Sequence, residues 1–182
     1  YYIILSTTGG LVRYDISDVV RCTGYFNRTP CLAFLNKGSQ IGNLTGEKLS
    51  AWQATSAVND WFSSTGQPPC EYTVLPRFSA NPGYVILLEQ KDIAAIRPES
   101  SFLDHLDQAW SQFNMEYADK RQSGRLAPPQ IHAVEDGFFS ALRTDRLRTG
   151  GTFEQYKHPF FSTDQQILIR AGLNGRPEGQ CS

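Results

Sequence analysis

Three short stretches hold the residue types from which a nucleotide- or phosphate-handling site can be built. In Arg13-Tyr14-Asp15-Ile16-Ser17-Asp18-Val19-Val20, Asp18 stands where a polar turn gives way to an apolar, β-rich run. A carboxylate at a strand end can accept hydrogen bonds from two vicinal hydroxyls, the arrangement a ribose offers. The same Asp and Ser residues are also good turn formers through local side chain to backbone bonds, and the residues alone leave both roles open. Lys37, in Leu35-Asn36-Lys37-Gly38, is a lone cation beside a glycine at an element boundary, either a surface lysine or a charged pivot. The third stretch is Gly150-Gly151-Thr152-Phe153-Glu154-Gln155-Tyr156-Lys157-His158-Pro159. A Gly-Gly turn leading to a lysine between an aromatic and a proline can present an ammonium from a loop toward negative charge, or it can be a solvated loop.

Other chemistries are disfavoured by what surrounds these stretches. His158 has no second His or Cys at ligand spacing, and His105 and His132 fall in a helix-like and a strand-like segment, so no metal site is expected. Cys22, Cys31, Cys70 and Cys181 are irregularly spaced without a CxxC pair, which reads as reduced thiols of a cytoplasmic protein. Cys22 and Cys31 would face each other across a hairpin only in an oxidising compartment. There is no serine nucleophile elbow, HExxH, Walker loop or dinucleotide fingerprint, so the chain has no phosphate cradle of its own. A net charge of -1 and the lack of a basic run argue against nucleic acid or an anionic membrane as partner and leave a small charged ligand open. Apolar runs fall far short of the roughly twenty residues a spanning helix needs.

The elements that must position these residues can be read from periodicity. The 182 residues, with hydrophobic residues at 40%, suffice for one sizeable core and a small appendage. The chain opens inside an apolar run, Tyr1-Tyr2-Ile3-Ile4-Leu5, as if a strand had been entered midway. Short β-rich runs over Tyr2–Ser6, Leu11–Tyr14, Val19–Tyr25 and Cys31–Leu35, joined by tight turns, predict an antiparallel meander over residues 1–37. A polar stretch from Gly38 to Asn43 separates it from a domain expected over 38–171. There, apolar Ala51, Ala54, Val58, Trp61 and Phe62 predict a helix that stops at Gly66. Strands are expected over Glu71–Leu75 and Tyr84–Glu89. One helix should carry Phe102, Leu106, Ala109, Trp110, Phe113 and Tyr117, with Ser101 as its cap. A strand over Gln130–Val134 and a helix capped by Asp136 complete an α+β layout, a ferredoxin-like α/β sandwich following the meander. Residues 172–182 are too polar to pack and should fray.

The same stretches, in this order and at these separations, resemble the C-terminal portion of the auxin-responsive acyl acid amido synthetases, the Gretchen Hagen family of adenylate-forming enzymes. The residues that carry the likeness are Tyr1-Tyr2-Ile3-Ile4-Leu5, Thr8-Gly9-Gly10-Leu11-Val12-Arg13-Tyr14, Asp18-Val19-Val20-Arg21, Thr23-Gly24-Tyr25 and Thr29-Pro30. Phe34-Leu35-Asn36-Lys37-Gly38 looks like the family's hinge, Thr45-Gly46-Glu47-Lys48-Leu49 like the opening of its small domain, and Gly151 to Pro159 like that domain's closing loop. Ser17, Asp15 and Asn36 depart from the family's usual glycine and basic residues.

The resemblance implies ATP-dependent adenylation of a carboxylic acid followed by amide formation with an amino acid, with ATP and Mg2+ as cofactors. It places Asp18 at the ATP ribose, Tyr14 beside it on the nucleotide side, Lys37 at the hinge and Lys157 as the catalytic cation swung toward the phosphates. The chain would work joined to its own N-terminal adenylating domain and be inactive alone. Two alternatives stay open: thioester formation of the acyl-CoA ligase type, and a stand-alone ferredoxin-like binding or regulatory module. An RNA-binding form of that module is not favoured, since Tyr84-Val85-Ile86-Leu87-Leu88-Glu89 lacks the stacking aromatics.

Overall fold

The computed structural model describes residues 1–37, 41–94, 96–148 and 156–173, and the chain divides into two compact units, Tyr1–Ile41 and Gly42–Ser182. The first unit is the expected meander: β1 (Tyr2–Leu5), β2 (Tyr14–Phe26) and β3 (Thr29–Lys37), antiparallel in that order. The separate strand expected over Leu11–Tyr14 is not formed. Thr7 N–H donates to the Leu11 carbonyl at 2.8 Å, which turns the chain there, and Arg13 takes a left-handed φ of 50° just before the 13-residue β2 begins. Cys22 lies opposite Leu32 and Cys31 opposite Gly24, so the two thiols are out of register, and both are free.

The two-residue β4 (Ile41–Gly42) leads on to β5 (Leu49–Ser50) and α1 (Ala51–Thr65). Ser50 and Gln53 cap α1 reciprocally: Ser50 Oγ accepts from the Gln53 N–H at 3.2 Å, and Gln53 Oε1 accepts from the Ser50 N–H at 3.0 Å. The helix ends at Gly66, whose φ of 67° is the left-handed stop that glycine takes without a Cβ penalty. Then come β6 (Tyr72–Arg77), β7 (Gly83–Glu89), the short α2 (Gln90–Ile93), α3 (Glu99–Phe113), α4 (Met115–Gln122), β8 (Gln130–Val134), α5 (Phe138–Arg148) and α6 (Gln165–Arg170).

A single sheet, β6-β7-β8, forms the middle of the second unit; β6 and β7 are antiparallel, and β8 runs parallel to β7. Strand alternation divides its buried side chains between two cores. Tyr72, Val74, Tyr84, Ile86 and Leu88 pack with Trp61, Phe102, Leu106 and Trp110 of α1 and α3, while Leu75, Val85 and Leu87 pack with Phe139 of α5 and Ile167 and Leu168 of α6. The result is an α/β sandwich with helices on both faces, which is why β6 and β7 read as continuous apolar runs.

Three local expectations change. The one helix expected through Tyr117 is two, broken at Asn114. Asn114 Oδ1 accepts from the Tyr117 N–H at 3.0 Å and so caps α4, while Asn114 Nδ2 donates to the Glu47 carbonyl at 2.6 Å. Pro98, rather than Ser101, precedes the first turn of α3. Asp136 does not cap α5: its Oδ1 accepts from the Lys91 N–H at 2.9 Å. Of the tail, Leu173 packs on the α6 core with its N–H bonded to the Leu168 carbonyl, and residues 174–182 lie outside those described.

Glu47 is fully buried, and its carboxylate accepts from the Leu44 N–H at 2.8 Å, the Thr45 N–H at 2.7 Å, Thr45 Oγ1 at 3.1 Å and Tyr84 Oη at 2.5 Å. Burial, and then the carboxylate's charge, hold the Tyr84 phenol well above its ordinary pKa, so it remains a donor. Asn114→Ala should destabilise the domain by about 2–4 kcal/mol, summing a lost helix cap and an unmet buried carbonyl. Asn114→Ser, which can still cap but is too short to reach Glu47, should fall between the two. Urea midpoints at constant slope measure this; equal midpoints for the alanine variant and the parent would show that the break does not depend on Asn114.

Candidate functional site

The residues expected on the nucleotide side lie on one sheet. Asp18 and Lys37 are direct partners across β2 and β3, and Tyr14 opens β2 opposite Leu5, exposed to solvent. Asp18 lies within a register shift against β1, where Tyr2 pairs with Val19 and Ile4 with Asp15, and a second shift against β3 follows between Val19 and Val20. Bulges of this kind bend a strand and re-aim its side chains, and they concentrate beside functional sites. Lys37 is the last residue of β3; Gly38, with which the sequence reading pairs it as a hinge, lies outside the described residues.

In the second unit, Gly150 to Gln155 also lie outside the described residues, whereas Tyr156 to Pro159 are within them. Lys157 is exposed, at the start of a segment laced to the free edge of β6. The Val74 N–H donates to the Phe160 carbonyl at 2.9 Å, the Ser162 N–H donates to the Val74 carbonyl at 3.0 Å, and Val74 and Phe161 form a parallel bridge. A loop lysine is thereby mounted on sheet backbone.

Both neighbours of Lys157 are fastened at the start of β6. On one side, the Arg143 guanidinium of α5 lies 5.3 Å from the centre of the Tyr156 ring and bonds Glu71 Oε1 at 2.5 Å. Burial raises the Tyr156 phenol above its ordinary pKa. On the other side, His158 is sunk between Phe139 and Phe160, with ring centroids 5.0 and 4.6 Å away, and its Nε2 lies 2.8 Å from the Tyr72 carbonyl. A carbonyl only accepts, so the network assigns the imidazole proton to Nε2. The other two histidines behave alike, His105 Nε2 meeting the Ala57 carbonyl at 3.1 Å and His132 Nε2 the Ala171 carbonyl at 2.7 Å. Among the described residues no three His, Cys, Asp or Glu side chains gather as a metal-binding group, and no helix is long and apolar enough to cross a membrane.

Sequence reasoning missed Glu47, Glu71, Glu89 and Arg143. The available signals were weak: a charged residue four positions after Phe139 on an amphipathic helix, and a Glu ending an apolar strand. Glu89, almost fully buried at the end of β7, accepts from the Phe139 N–H at 3.0 Å and pairs with Lys91 Nζ at 2.6 Å. It therefore anchors the first turn of α5, the helix that supplies Phe139 and Arg143 to the Lys157 segment. Burial alone would raise its pKa, but the bonds from Lys91 and from the Phe139 and Gly137 amides outweigh burial and lower it.

Comparison with known proteins gives a consistent match. The pattern of the GH3 family C-terminal domain matches residues 52–166, and that of the GH3 family central domain matches residues 1–37. Indole-3-acetic acid-amido synthetase GH3.5 of Arabidopsis thaliana is 28% identical over 167 residues, covering 87% of this chain and 27% of the relative. Jasmonoyl–L-amino acid synthetase GH3.5 of Oryza sativa subsp. japonica is 27% identical over 179 residues, 93% of this chain and 30% of the relative. The solved structure of GH3.15 acyl acid amido synthetase superposes with a TM-score of 0.74 at 22% identity, over 93% of this chain and 31% of that one, which shows a shared fold. The chain thus spans under a third of the length of these relatives.

The lowered pKa of Glu89 makes a pH prediction. A carboxylate whose folded pKa lies below its unfolded value adds stability that is present above the unfolded value, about 4.3 for Glu, and lost as pH falls through the folded one. Melting curves of the parent and Glu89→Gln should differ most at neutral pH and converge under acid conditions; a gap that stays constant with pH would show that the charge is not what anchors α5.

Proposed function

Because this chain belongs to the GH3 family, we propose that it supplies the last strands of the adenylating domain and the mobile C-terminal domain of an ATP-dependent acyl acid amido synthetase. The reading rests chiefly on order. The central-domain pattern ends on the strand where Lys37 faces Asp18, and the C-terminal-domain pattern runs past Lys157.

The chemistry has two steps. An acid's carboxylate oxygen attacks the α-phosphorus of ATP; a P–O bond forms, the bridge to the β-phosphate breaks, and pyrophosphate leaves with the electron pair. An amino acid's nitrogen then attacks the acyl carbon, the C–O bond to AMP breaks, AMP departs with that pair, and the nitrogen's proton passes to solvent. In this scheme the Asp18 carboxylate accepts the ribose hydroxyls, with Tyr14 beside it on the nucleotide side. Lys157 meets the negative charge that builds on the phosphates in the first step, where a fixed cation stabilises the transition state. Lys37 sits at the hinge about which the small domain turns between steps. Mg2+ would arrive on the phosphates of ATP and offset their charge.

The first unit supports a larger setting. Tyr2, Ile4, Tyr25, Phe26, Leu32 and Phe34 are all exposed on its three strands, more apolar surface than a lone sheet of this size keeps in water. The reading gives these side chains a cover, the remainder of the chain's own N-terminal adenylating domain, and favours it over a stand-alone module. The substrates are a small carboxylic acid and an amino acid, with no nucleic acid or membrane partner. The setting is the cytoplasm, where Cys22, Cys31 and Cys70 stay as thiols.

The 182 residues alone should show no ATP–pyrophosphate exchange with any acid, and exchange by the isolated chain would overturn the division of labour proposed here. In the full-length protein Asp18→Asn should weaken ATP binding by about 1.5–3 kcal/mol, the value of a charge-assisted hydrogen bond. Unchanged affinity by calorimetry would return Asp18 to a turn role. Lys157→Ala should slow adenylation by about 3–4 kcal/mol, as for loss of an oxyanion donor, and slow aminolysis of a pre-formed acyl-adenylate far less. Single-turnover rates of the two steps decide this, and equal slowing of both would reject a phosphate-side role.

A further inference from the structure

We infer that His158 is a positioning residue for Lys157: it anchors the lysine-bearing segment to β6 so that the ammonium reaches the phosphates from a fixed point. The inference rests on the reading of Lys157 as the phosphate-side cation and goes beyond it, since it explains how a lysine on a loop keeps a defined reach.

The geometry carries it. Lys157 itself is exposed and its side chain has no hydrogen bond or ion pair among the described residues, so within them its position is inherited from its two neighbours. His158 is the better fastened of these. Its side chain is 8% exposed, enclosed edge-on by Phe139 and Phe160, and the Phe160 ring lies in turn 5.0 Å from Tyr72. The Nε2–H bond to the Tyr72 carbonyl at 2.8 Å ties the backbone immediately after Lys157 to the first residue of β6, two residues before the Val74 bonds take over. Thr73 Oγ1 lies 3.5 Å from the same nitrogen.

The far side of the ring is the more telling. His158 Nδ1 is buried without a hydrogen-bond partner among the described residues, and on the other side of Lys157 the Tyr156 ring lies against the Arg143 guanidinium. Glu71 Oε1 lies 4.0 Å from His158 Nδ1 while bonding Arg143. A buried polar atom left unpaired opposes folding, so a segment needed only for packing would carry an apolar residue at 158. Here that imidazole directly follows Lys157, the exposed cation of the segment.

The test uses the full-length protein with His158→Leu, His158→Gln, Lys157→Ala and the double variant Lys157→Ala/His158→Leu. Glutamine places an N–H donor near the position of Nε2, whereas leucine fills the space and donates nothing. Tryptic cleavage after Lys157 reports the anchor directly: His158→Leu should be cut roughly tenfold faster than the parent, and His158→Gln within about threefold of it. For ATP–pyrophosphate exchange, His158→Leu should lower kcat by roughly ten- to a hundredfold, the effect of an ångström-scale misplacement, with the KM for ATP within about twofold. His158→Gln should recover most of that loss. In the Lys157→Ala background the leucine substitution should cost no more than about twofold, because a residue that acts through the lysine has nothing left to position.

An equal loss of exchange in both backgrounds, or cleavage that leucine leaves unchanged, overturns the inference and assigns His158 to packing. Full exchange by Lys157→Ala overturns the underlying role of the lysine instead. The two failures are told apart by the tryptic rates, which read the anchor without reference to catalysis.

Discussion

A buried carboxylate must be given hydrogen bonds or it unfolds what surrounds it, and Glu47 imposes that demand on the whole second unit. It is met by two backbone amides and a hydroxyl from the loop before α1 and by the phenol of Tyr84 on the central strand, while the backbone carbonyl of the same residue accepts from Asn114 between α3 and α4. Loop, sheet and helix pair are thus fixed to one another at a single residue. Gly42 lies against the same phenol, where a Cβ would come within 2.6 Å of Tyr84 Oη. The segment leading into the domain therefore has no room for a side chain at that point.

From that anchor the sheet passes order to its edges. Helices on both faces bury all of β7 and β6 from Tyr72 to Pro76, so the backbone of β6 is a rigid rail. The segment after Lys157 attaches to this rail at Tyr72 and Val74, while α5 presses on it through Phe139 and Arg143 and is itself held by Glu89. In the role proposed for Lys157, a cation that acts on phosphates and is then carried away would need such a mounting, so that its loop does not move within the domain that carries it.

The first unit works under a different constraint. Among the described side chains of its three strands only Val20 is deeply buried, so local pairing rather than a core sets their geometry. The register shifts at and just after Asp18 depart from regular pairing, at the residue for which the resemblance implies a ribose contact. The resemblance named Asp18, Tyr14, Lys37 and Lys157 from residue types in a fixed order; what each does in a reaction belongs to experiment.

Much of the fold was legible in the sequence because its causes are local. The start of α1 follows from a Ser-x-x-Gln cap and its end from Gly66, β7 from an unbroken apolar run, and the face of α3 from residues spaced at 3.6. The family was legible for a similar reason, since motif residues keep their order along the chain. Long-range partners were not. Asn114 breaks a helix whose apolar stripe continues to Tyr117, because the Glu47 carbonyl, sixty-seven residues away in sequence, needs a donor. Periodicity leaves open that β8 runs parallel to β7, that Glu71 receives Arg143, and that His158 is enclosed by two phenylalanines. Spacing along a chain encodes which face a side chain occupies, whereas burial and hydrogen-bond partners are settled only when distant segments compete for the same interior, and that competition decided how Lys157 is held.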